Sequence, residues 1–464
     1  MTARLDWSRW LGTLLLALLA APIGLLAGLK PAFAIVAALG AGFVVLAFTD
    51  LAAGLAVFAF IGFVQVLPVD GVAKAAGLLL TLSWFALVTT RPRMELEFLT
   101  AHPYMSGALG AFIGWSLLST TWATDTSAAI DSTVRYALNV VLFLIIFTAI
   151  RTPRELGWMM LAFVAGVAIA TVHGILSPPA NPALMGRLGS NTLDPNELAA
   201  VLVSGIALSV GVMVLYRRSP LIQLGAAMIA VFALVGVWLT VSRGGLIALA
   251  VAVVAAVLLA GRWRPMALMF ACLLAFVTYA YFTAVASPAT RERITSPTRG
   301  QTVIEEGRTT IWQVAWRAFE ANPVEGVGAG NFQEASIHYL LRPGTLARSD
   351  QIIGDQPKVV HNSYLGEAAE LGAVGFLLFA LIVGFSLLSM IRASRIYRRA
   401  GNHRMQAVSL SIAVALIGNL AALFFISGEY ERGLWLLLGL GPAILAMAKT
   451  AAVAGGDQSG RLSA

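Results

Sequence analysis

The chain has 464 residues, of which 59% are hydrophobic and only 12% are charged. A soluble domain carries about 25% charged residues, so this composition excludes an ordinary soluble protein. The net charge of +8 would suggest nucleic-acid binding in a soluble protein. In a membrane protein the arginines of cytoplasmic loops explain it, and we expect no nucleic-acid partner. The single cysteine, Cys272, excludes a disulfide framework and a thiolate metal site.

Apolar segments suited to membrane-spanning helices follow one another along the chain. A helix needs about 20 apolar residues to cross a bilayer, and we count about 14 such segments, the first of them short and close together. They are approximately 10–29, 31–49, 51–68, 72–90, 104–120, 136–150, 156–176, 197–216, 221–241, 245–260, 265–285, 364–391, 406–427 and 433–449. Their apolar runs are continuous rather than alternating, which excludes a β-barrel. The sequence therefore predicts an all-α polytopic membrane protein with about 12 to 14 transmembrane helices.

Polar stretches divide this pattern into four regions. They are N-terminal transmembrane helices over 1–285, a large loop with short helices over 286–362, C-terminal transmembrane helices over 363–450 and a disordered tail over 451–464. Arginine and lysine concentrate at alternate connections, and the positive-inside rule assigns those connections to the cytoplasm when the N-terminus is cytoplasmic. This arrangement puts the large loop outside the cytoplasm.

The connections on the loop's side of the membrane carry the first polar candidates. Asp194 and Asn196 flank a proline, a pattern that caps the following helix, and a cap accounts for Asp194 without any functional role. Arg187 precedes them in the same connection. Arg243 is either an interfacial arginine that extends to water or a phosphate ligand. Its isolation from other charges favours the phosphate ligand.

The large loop adds a second group of candidates. Arg308 opens an amphipathic stretch and is equally well explained as a surface residue or as a ligand for an anion. The glycines Gly326, Gly328 and Gly330 form a compact turn whose N–H groups can cradle an anion. Because no strand precedes this turn, it is not a dinucleotide-binding fingerprint.

His361 stands at the start of a predicted helix, beside Asn362 and Tyr364. Histidine has the pKa of a general base near neutral pH. His338, in the same loop, is the rival candidate. Glu370 is too far along a straight helix to bond His361 directly, so we expect it to anchor the helix or to meet an arginine.

The sequence contains no metal-binding motif of the H-E-x-x-H type and no phosphate-binding P-loop. We therefore expect a site that needs neither metal nor cofactor. Two or three arginines with one histidine suit a diphosphate leaving group and an acceptor hydroxyl. The arginines would stabilise the charge that develops on the diphosphate, and His361 would take the acceptor proton or orient the hydroxyl.

These motifs resemble those of the O-antigen ligase and O-antigen polymerase superfamily, over roughly residues 100–445. The resemblance is carried by His361-Asn362-Ser363-Tyr364-Leu365, Glu370, Gly372 and Gly375, preceded by Arg308, Trp312, Pro323, Gly326, Gly328, Gly330, Asn331 and Phe332, with Asp194-Pro195-Asn196 and Ser242-Arg243-Gly244 upstream.

The resemblance implies a bacterial inner-membrane glycosyltransferase of the GT-C type with a large periplasmic loop and a site facing the periplasm. Its donor would be an undecaprenyl-diphosphate-linked glycan, and the ligase's acceptor would be lipid A–core oligosaccharide, with no metal or nucleotide. His361 matches the family's essential loop histidine and Arg243 and Arg308 match its arginines, whereas Arg187 is a looser match. We also expect substrate contacts from Asn331, Asn362 and Tyr364, and supporting roles for Asp194, Asn196, Gly328, Gly330, Glu370 and Gly372.

Three alternatives stay open at this point. A polymerase or a ligase that attaches glycan to protein would share the chemistry and differ in the acceptor. A transporter of lipid-linked glycan would place ionisable residues near the middle of the membrane, whereas the charges here gather at helix ends. The modest length and the single large loop favour the ligase. The sequence does not reveal the glycan, the acceptor sugar or the oligomeric state.

Overall fold

The computed structural model describes residues 24, 27–63, 71–90, 98–181, 184–190, 193–295, 303–341 and 359–462. The described residues form α-helices joined by turns and contain no strand. In chain order the helices are α1 (Pro31–Thr49), α2 (Leu51–Ile61), α3 (Val72–Thr90), α4 (Pro103–Leu118), α5 (Thr126–Ala149), α6 (Pro153–Leu176), α7 (Pro195–Leu215), α8 (Pro220–Leu239), α9 (Arg243–Leu259), α10 (Arg264–Ala280), α11 (Pro288–Thr295), α12 (Val303–Ala321), α13 (Phe332–Leu340), α14 (Ser363–Arg399), α15 (His403–Ala422) and α16 (Arg432–Leu462).

The predicted all-α polytopic membrane fold is confirmed. Within the described ranges, nine helical segments are long and apolar enough to cross a membrane, and α1, α2 and α9 are shorter apolar helices. Most of the first predicted segment, 10–29, lies outside the described residues. The later segments each coincide with a helix, though α5 begins ten residues before the predicted start, at Thr126. Asp125 sets that start because its carboxylate accepts a bond from the Ala128 N–H at 3.0 Å.

The helix starts on the site side of the bundle follow ordinary capping chemistry. At α7, Asp194 accepts from the Asn196 N–H at 2.8 Å, and Glu197 accepts from the Asp194 N–H at 3.2 Å. Pro195 occupies the first helical position, where its missing N–H costs nothing. Asp194 therefore caps α7, as the sequence pattern predicts.

The apolar core has two parts. The larger one runs through the bundle, and Trp435 at its centre is completely buried. The smaller one belongs to the large loop and joins the inner face of α12 to α13, the glycine-rich turn and the first turns of α14. Ala315 and Phe332 are among its buried members. The described part of the loop is thus a packed layer seated on the start of α14.

The structure differs from the predicted regions in two further details, the length of one loop helix and the end of the last helix. The loop predicted to contain short helices includes α12, which is 19 residues long. The last helix, α16, runs on to Leu462, where the sequence analysis predicted a disordered tail from residue 451.

Candidate functional site

Backbone strain marks two points of the chain. Among the described residues, only Val241 (φ 49°) and His361 (φ 52°) combine a side chain with a positive φ. This left-handed conformation is uncommon for residues other than glycine, and for a β-branched residue it is an outlier. Such strain persists only where the surroundings impose it, and it is concentrated at functional sites. Val241 precedes Arg243 by two residues, so the strain falls on both segments that the sequence analysis selected.

The backbone of His361 is held from two sides. Its N–H donates to the Ser427 Oγ at 3.0 Å. The indole N–H of Trp312, on α12, donates to the carbonyl of the preceding residue, Val360, at 3.1 Å. Asn362 caps α14. The His361 side chain remains partly exposed. The protein therefore fixes the backbone of a histidine that is partly exposed.

The first turn of α14 is also bonded to the end of α15 and to the connection between α15 and α16. The Ser363 N–H donates to the carbonyls of Leu423 and Ile426 at 2.9 and 3.0 Å. The Tyr364 hydroxyl donates to the Leu420 carbonyl at 2.7 Å. The predicted substrate contacts Asn362 and Tyr364 therefore both lie beside His361, and each makes bonds within the protein.

Arg243 lies at the start of α9. Ser242 caps this helix, since its Oγ accepts from the Gly245 N–H at 3.0 Å. The Arg243 guanidinium donates to the carbonyl oxygen of Arg293, on α11, through Nε at 2.8 Å and also through Nη2. The loop after α10 thus orients the Arg243 side chain.

Arg187 and Asn196 are linked to Ser242, the residue before Arg243, through the Asn196 amide. The Asn196 Oδ1 accepts from the Ser242 Oγ at 2.7 Å and from the Arg187 Nη2 at 3.2 Å. Arg187 Nε also donates to the carbonyl of Thr240 at 2.8 Å. The candidates on these two connections therefore form one network around the strained Val241.

The Arg243 network and the His361 segment meet on residues 425–427. A Cβ added to Gly244 would lie 2.6 Å from the Phe425 ring, so the first turn of α9 packs directly on this connection. Two residues further on, Ser427 binds the His361 N–H. The residue after Arg243 and the backbone of His361 thus contact the same short segment.

Arg308 lies on α12, the helix whose Trp312 bonds the residue before His361. It stands four residues before Trp312, and residues four apart lie on the same face of a helix. Because Trp312 bonds the carbonyl next to His361, that face is turned towards the histidine. Arg308 is partly buried there.

The glycine-rich turn has a different role from the one its composition suggests. Its Gly330 N–H donates to a carboxylate oxygen of Glu370 at 2.6 Å, and the Phe332 N–H points to the other oxygen at 3.4 Å. The Gly328 N–H donates to the Glu370 carbonyl at 2.8 Å. The group bound by this turn is therefore the carboxyl of Glu370, which anchors the loop to α14.

The same turn fits into a break in α14. At Gly372 the backbone has φ 65° and ψ −168°, and a Cβ there would lie 2.1 Å from the Val324 carbonyl oxygen. The Leu371 carbonyl accepts from the Trp115 indole N–H at 2.9 Å. Glycine is required at Gly372 because the loop backbone occupies the space of a side chain.

Asn331 lies in this turn and is completely buried. Its side-chain oxygen accepts from the Asp125 N–H at 2.7 Å, and its Nδ2 donates to the Asp125 carbonyl at 3.0 Å. The predicted substrate contact of Asn331 therefore competes with an amide pairing that already ties the loop to the start of α5. The rival histidine, His338, is exposed on α13, with its ring edge-on to Tyr339.

Sequence reasoning missed a cluster of buried carboxyl groups behind His361. Glu367 is 2% exposed and accepts a bond from the Tyr136 hydroxyl. Glu370 and Glu429 lie near it. Glu429, outside the membrane-spanning helices, lies beside Ser363, and its burial raises the pKa of its carboxyl. The sequence signal for this cluster is the pair Glu367 and Glu370, three residues apart in an otherwise apolar helix.

No three His, Cys, Asp or Glu side chains in the described part of the chain are grouped so that they could hold a metal ion. The chemistry available from the described groups is therefore that of fixed arginine charges, one strained histidine and a buried carboxyl cluster.

A comparison with known protein families found a match to part of this chain. Residues 228–380 match the model of a family described as O-antigen ligase. The matched range includes Arg243, Arg308, the glycine-rich turn and His361, and it begins after Arg187 and Asn196. A search of curated proteins found no match. The family match confirms the resemblance seen in the sequence, and it assigns residues 228–380 of this chain to the O-antigen ligase superfamily.

Proposed function

We propose that this chain is an O-antigen ligase that transfers a glycan from undecaprenyl diphosphate to lipid A–core oligosaccharide at the periplasmic face of the bacterial inner membrane. The family match supports the ligase and polymerase class. The observation that carries the proposal is the coincidence of strain and chemistry. The two strained residues with side chains, Val241 and His361, lie in segments that both contact residues 425–427, and these segments carry Arg243 and the candidate histidine.

The arginines would bind the donor diphosphate. A guanidinium keeps its charge at any physiological pH and can bond two phosphate oxygens at once. The Arg293 carbonyl is a neutral acceptor, so it orients the Arg243 guanidinium without cancelling its charge. Arg243 belongs to α9, which packs on residues 425–427, and Arg308 belongs to α12, which bonds the residue before His361. Two arginines on different helices would suit a clamp on the leaving group. Their charge would stabilise the diphosphate as it departs.

His361 would act on the acceptor. The acceptor hydroxyl oxygen attacks the anomeric carbon, and the bond from that carbon to the diphosphate oxygen breaks. Undecaprenyl diphosphate leaves with the electron pair, and the hydroxyl proton passes to the His361 imidazole. The bonds from Ser427 and Trp312 hold the backbone so that the imidazole is positioned before substrate binds. Direct displacement of this kind inverts the anomeric centre.

The test uses the purified full-length chain with undecaprenyl-diphosphate-linked glycan and a metal chelator. Lipid A–core is supplied in one reaction, and no acceptor is added to a second. We expect glycan on lipid A–core in the first reaction only. Longer polyprenyl-linked chains in the second reaction would identify a polymerase instead. Absence of transfer in both would contradict the proposal.

The histidine assignment has a matched control in the same loop. His361→Ala should abolish transfer, and His338→Ala should leave it near the wild-type rate, because His338 lies on the exposed surface of α13. The opposite pattern would reassign the catalytic role to His338.

A further inference from the structure

An apolar groove lies between α10 and the rest of the bundle, in the half of the membrane away from the candidate site. Its volume is about 300 Å³, and α7, α9, α10 and α15 line it through residues such as Val210, Ala256, Ala271 and Leu410. The membrane-spanning segment that contains α10, Gly261–Val285, has no buried residue in its apolar window. This helix therefore rests beside the core without closing the groove.

The groove ends at a basic mouth. Trp263 lines this end, and the Arg262 guanidinium lies 4.8 Å from the centre of its ring. Arg262 Nη1 is 3.2 Å from the Nε2 of His403, at the start of α15. Arg404 donates to the Leu215 carbonyl at the end of α7. Two arginines and an imidazole thus gather where the groove opens at the membrane surface.

The helices around the groove provide no carboxylate to balance these charges. The sequence has no Asp or Glu between Glu197 and Glu292, or between Glu370 and Glu429, and those stretches contain every residue that lines the groove. The acceptors seen for the mouth arginines are a backbone carbonyl and an imidazole nitrogen, both neutral. The mouth therefore keeps a net positive charge next to an apolar channel.

We propose that this groove binds one anionic glycerophospholipid, with an acyl chain between α9 and α10 and the phosphate at Arg262 and Arg404. The apolar lining matches the chain, and the uncompensated arginines match the headgroup. A donor whose diphosphate binds at Arg243 cannot also place that diphosphate at the mouth, because the two lie at opposite ends of α9. α9 runs from Arg243 to Leu259, which at 1.5 Å per residue separates the site from the mouth by about 25 Å.

The test measures thermal unfolding of the purified protein with added phosphatidylglycerol or with phosphatidylcholine of the same acyl chains. A lipid that binds the folded state raises the unfolding temperature by mass action. We expect phosphatidylglycerol to raise it by several degrees more than phosphatidylcholine, and native mass spectrometry to show one tightly retained phosphatidylglycerol. Equal stabilisation by the two lipids would overturn the proposal.

The headgroup contact is tested with Arg262→Gln/Arg404→Gln. Arg264 stays unchanged, because it bonds the last carbonyls of α9 and its loss would destabilise that helix directly. The matched control is Arg398→Gln/Arg399→Gln, which removes two exposed charges at the end of α14, a helix that does not line the groove. The additional rise in unfolding temperature that phosphatidylglycerol gives over phosphatidylcholine should disappear in Arg262→Gln/Arg404→Gln and persist in the control variant. Its persistence in both would overturn the assignment.

The acyl contact is tested with Ala256→Phe, which fills the groove from α9. Val254→Phe is the control, because Val254 is 57% exposed on the same helix and does not line the groove. Only Ala256→Phe should lose the retained lipid. Undecaprenyl diphosphate is added as a competitor. If it displaces the bound phosphatidylglycerol and raises the unfolding temperature by the same amount, the groove holds the donor's chain and the phospholipid proposal is refuted.

Discussion

Two polar segments contact α14, and they use the left-handed backbone in different ways. The glycine-rich turn, residues 323–331, fits into the break at Gly372, and its positive φ angles all fall on glycine. The segment that starts α14 places its positive φ on His361. Glycine adopts this conformation at little cost, whereas a histidine is strained in it.

The two segments also differ in burial, since Asn331 is completely buried and His361 is partly exposed. In the turn, the Gly330 N–H and the Asn331 amide are both bonded to other parts of the protein. At His361 the backbone is bonded and the side chain is partly exposed. The turn therefore fastens the loop to α14, whereas at the start of α14 the strain falls on the histidine to which we assign the proton transfer.

The largest expected effect is on activity at His361. His361→Gly keeps the left-handed backbone and relieves its strain, so the variant should be at least as stable as the wild type. Transfer should fall by about 10²–10⁴-fold, the usual contribution of general acid–base catalysis. Glycan transfer and unfolding temperature are measured on the same preparation. An active His361→Gly enzyme would remove the proposed role of the imidazole.

The next effect is on stability at the break in α14. In Gly372→Ala the new methyl group would lie 2.1 Å from the Val324 carbonyl oxygen, at a positive φ. We expect a loss of about 3 kcal/mol in unfolding free energy, with detachment of the loop. Gly384→Ala on the same helix is the control, since nothing lies within 4 Å of its Cβ position, and it should be neutral or slightly stabilising. Chemical unfolding in detergent measures both, and equal stability of the two variants would contradict the tight fit.

Asn331 tests whether the turn also contacts substrate. Asn331→Ala removes both bonds to the Asp125 backbone and leaves a space at a completely buried position, so we expect a loss of about 2 kcal/mol in stability. Gln333→Ala, at an exposed neighbour, should change neither stability nor activity. If Asn331 is only structural, the activity per folded molecule should stay unchanged. A stable Asn331→Ala protein with a raised KM for the donor would instead make it a substrate contact.

The sequence predicted the membrane-spanning helices well because each is recorded locally, in a run of apolar residues with a capping pattern such as that of Asp194. It also selected Arg243 and His361, since isolated polar residues at the ends of apolar helices are conspicuous. Both residues lie within the range, 228–380, that matches the O-antigen ligase family.

Long-range pairings could not be predicted in the same way. The partner of the glycine-rich turn is Glu370, about 40 residues further along the chain, and only the fold brings the two together. The pairing of Asn331 with the backbone of Asp125 spans 206 residues, and no local pattern records it. The strain at Val241 and His361 is likewise imposed by contacts with distant segments.

The smallest expected effect is a pH dependence of stability that arises from the buried carboxyl of Glu429. Glu429 lies in the connection between α15 and α16, and burial raises the pKa of its carboxyl above the ordinary 4.5. A folded state that holds this proton more tightly than the unfolded chain loses stability as pH rises above about 4.5, until the raised pKa is passed. Glu429→Gln lacks this dependence, so its stability relative to the wild type should increase with pH over that interval and stay level below it. Unfolding measured from pH 4 upward tests this, and parallel curves for the two proteins would mean that Glu429 titrates normally in the folded state.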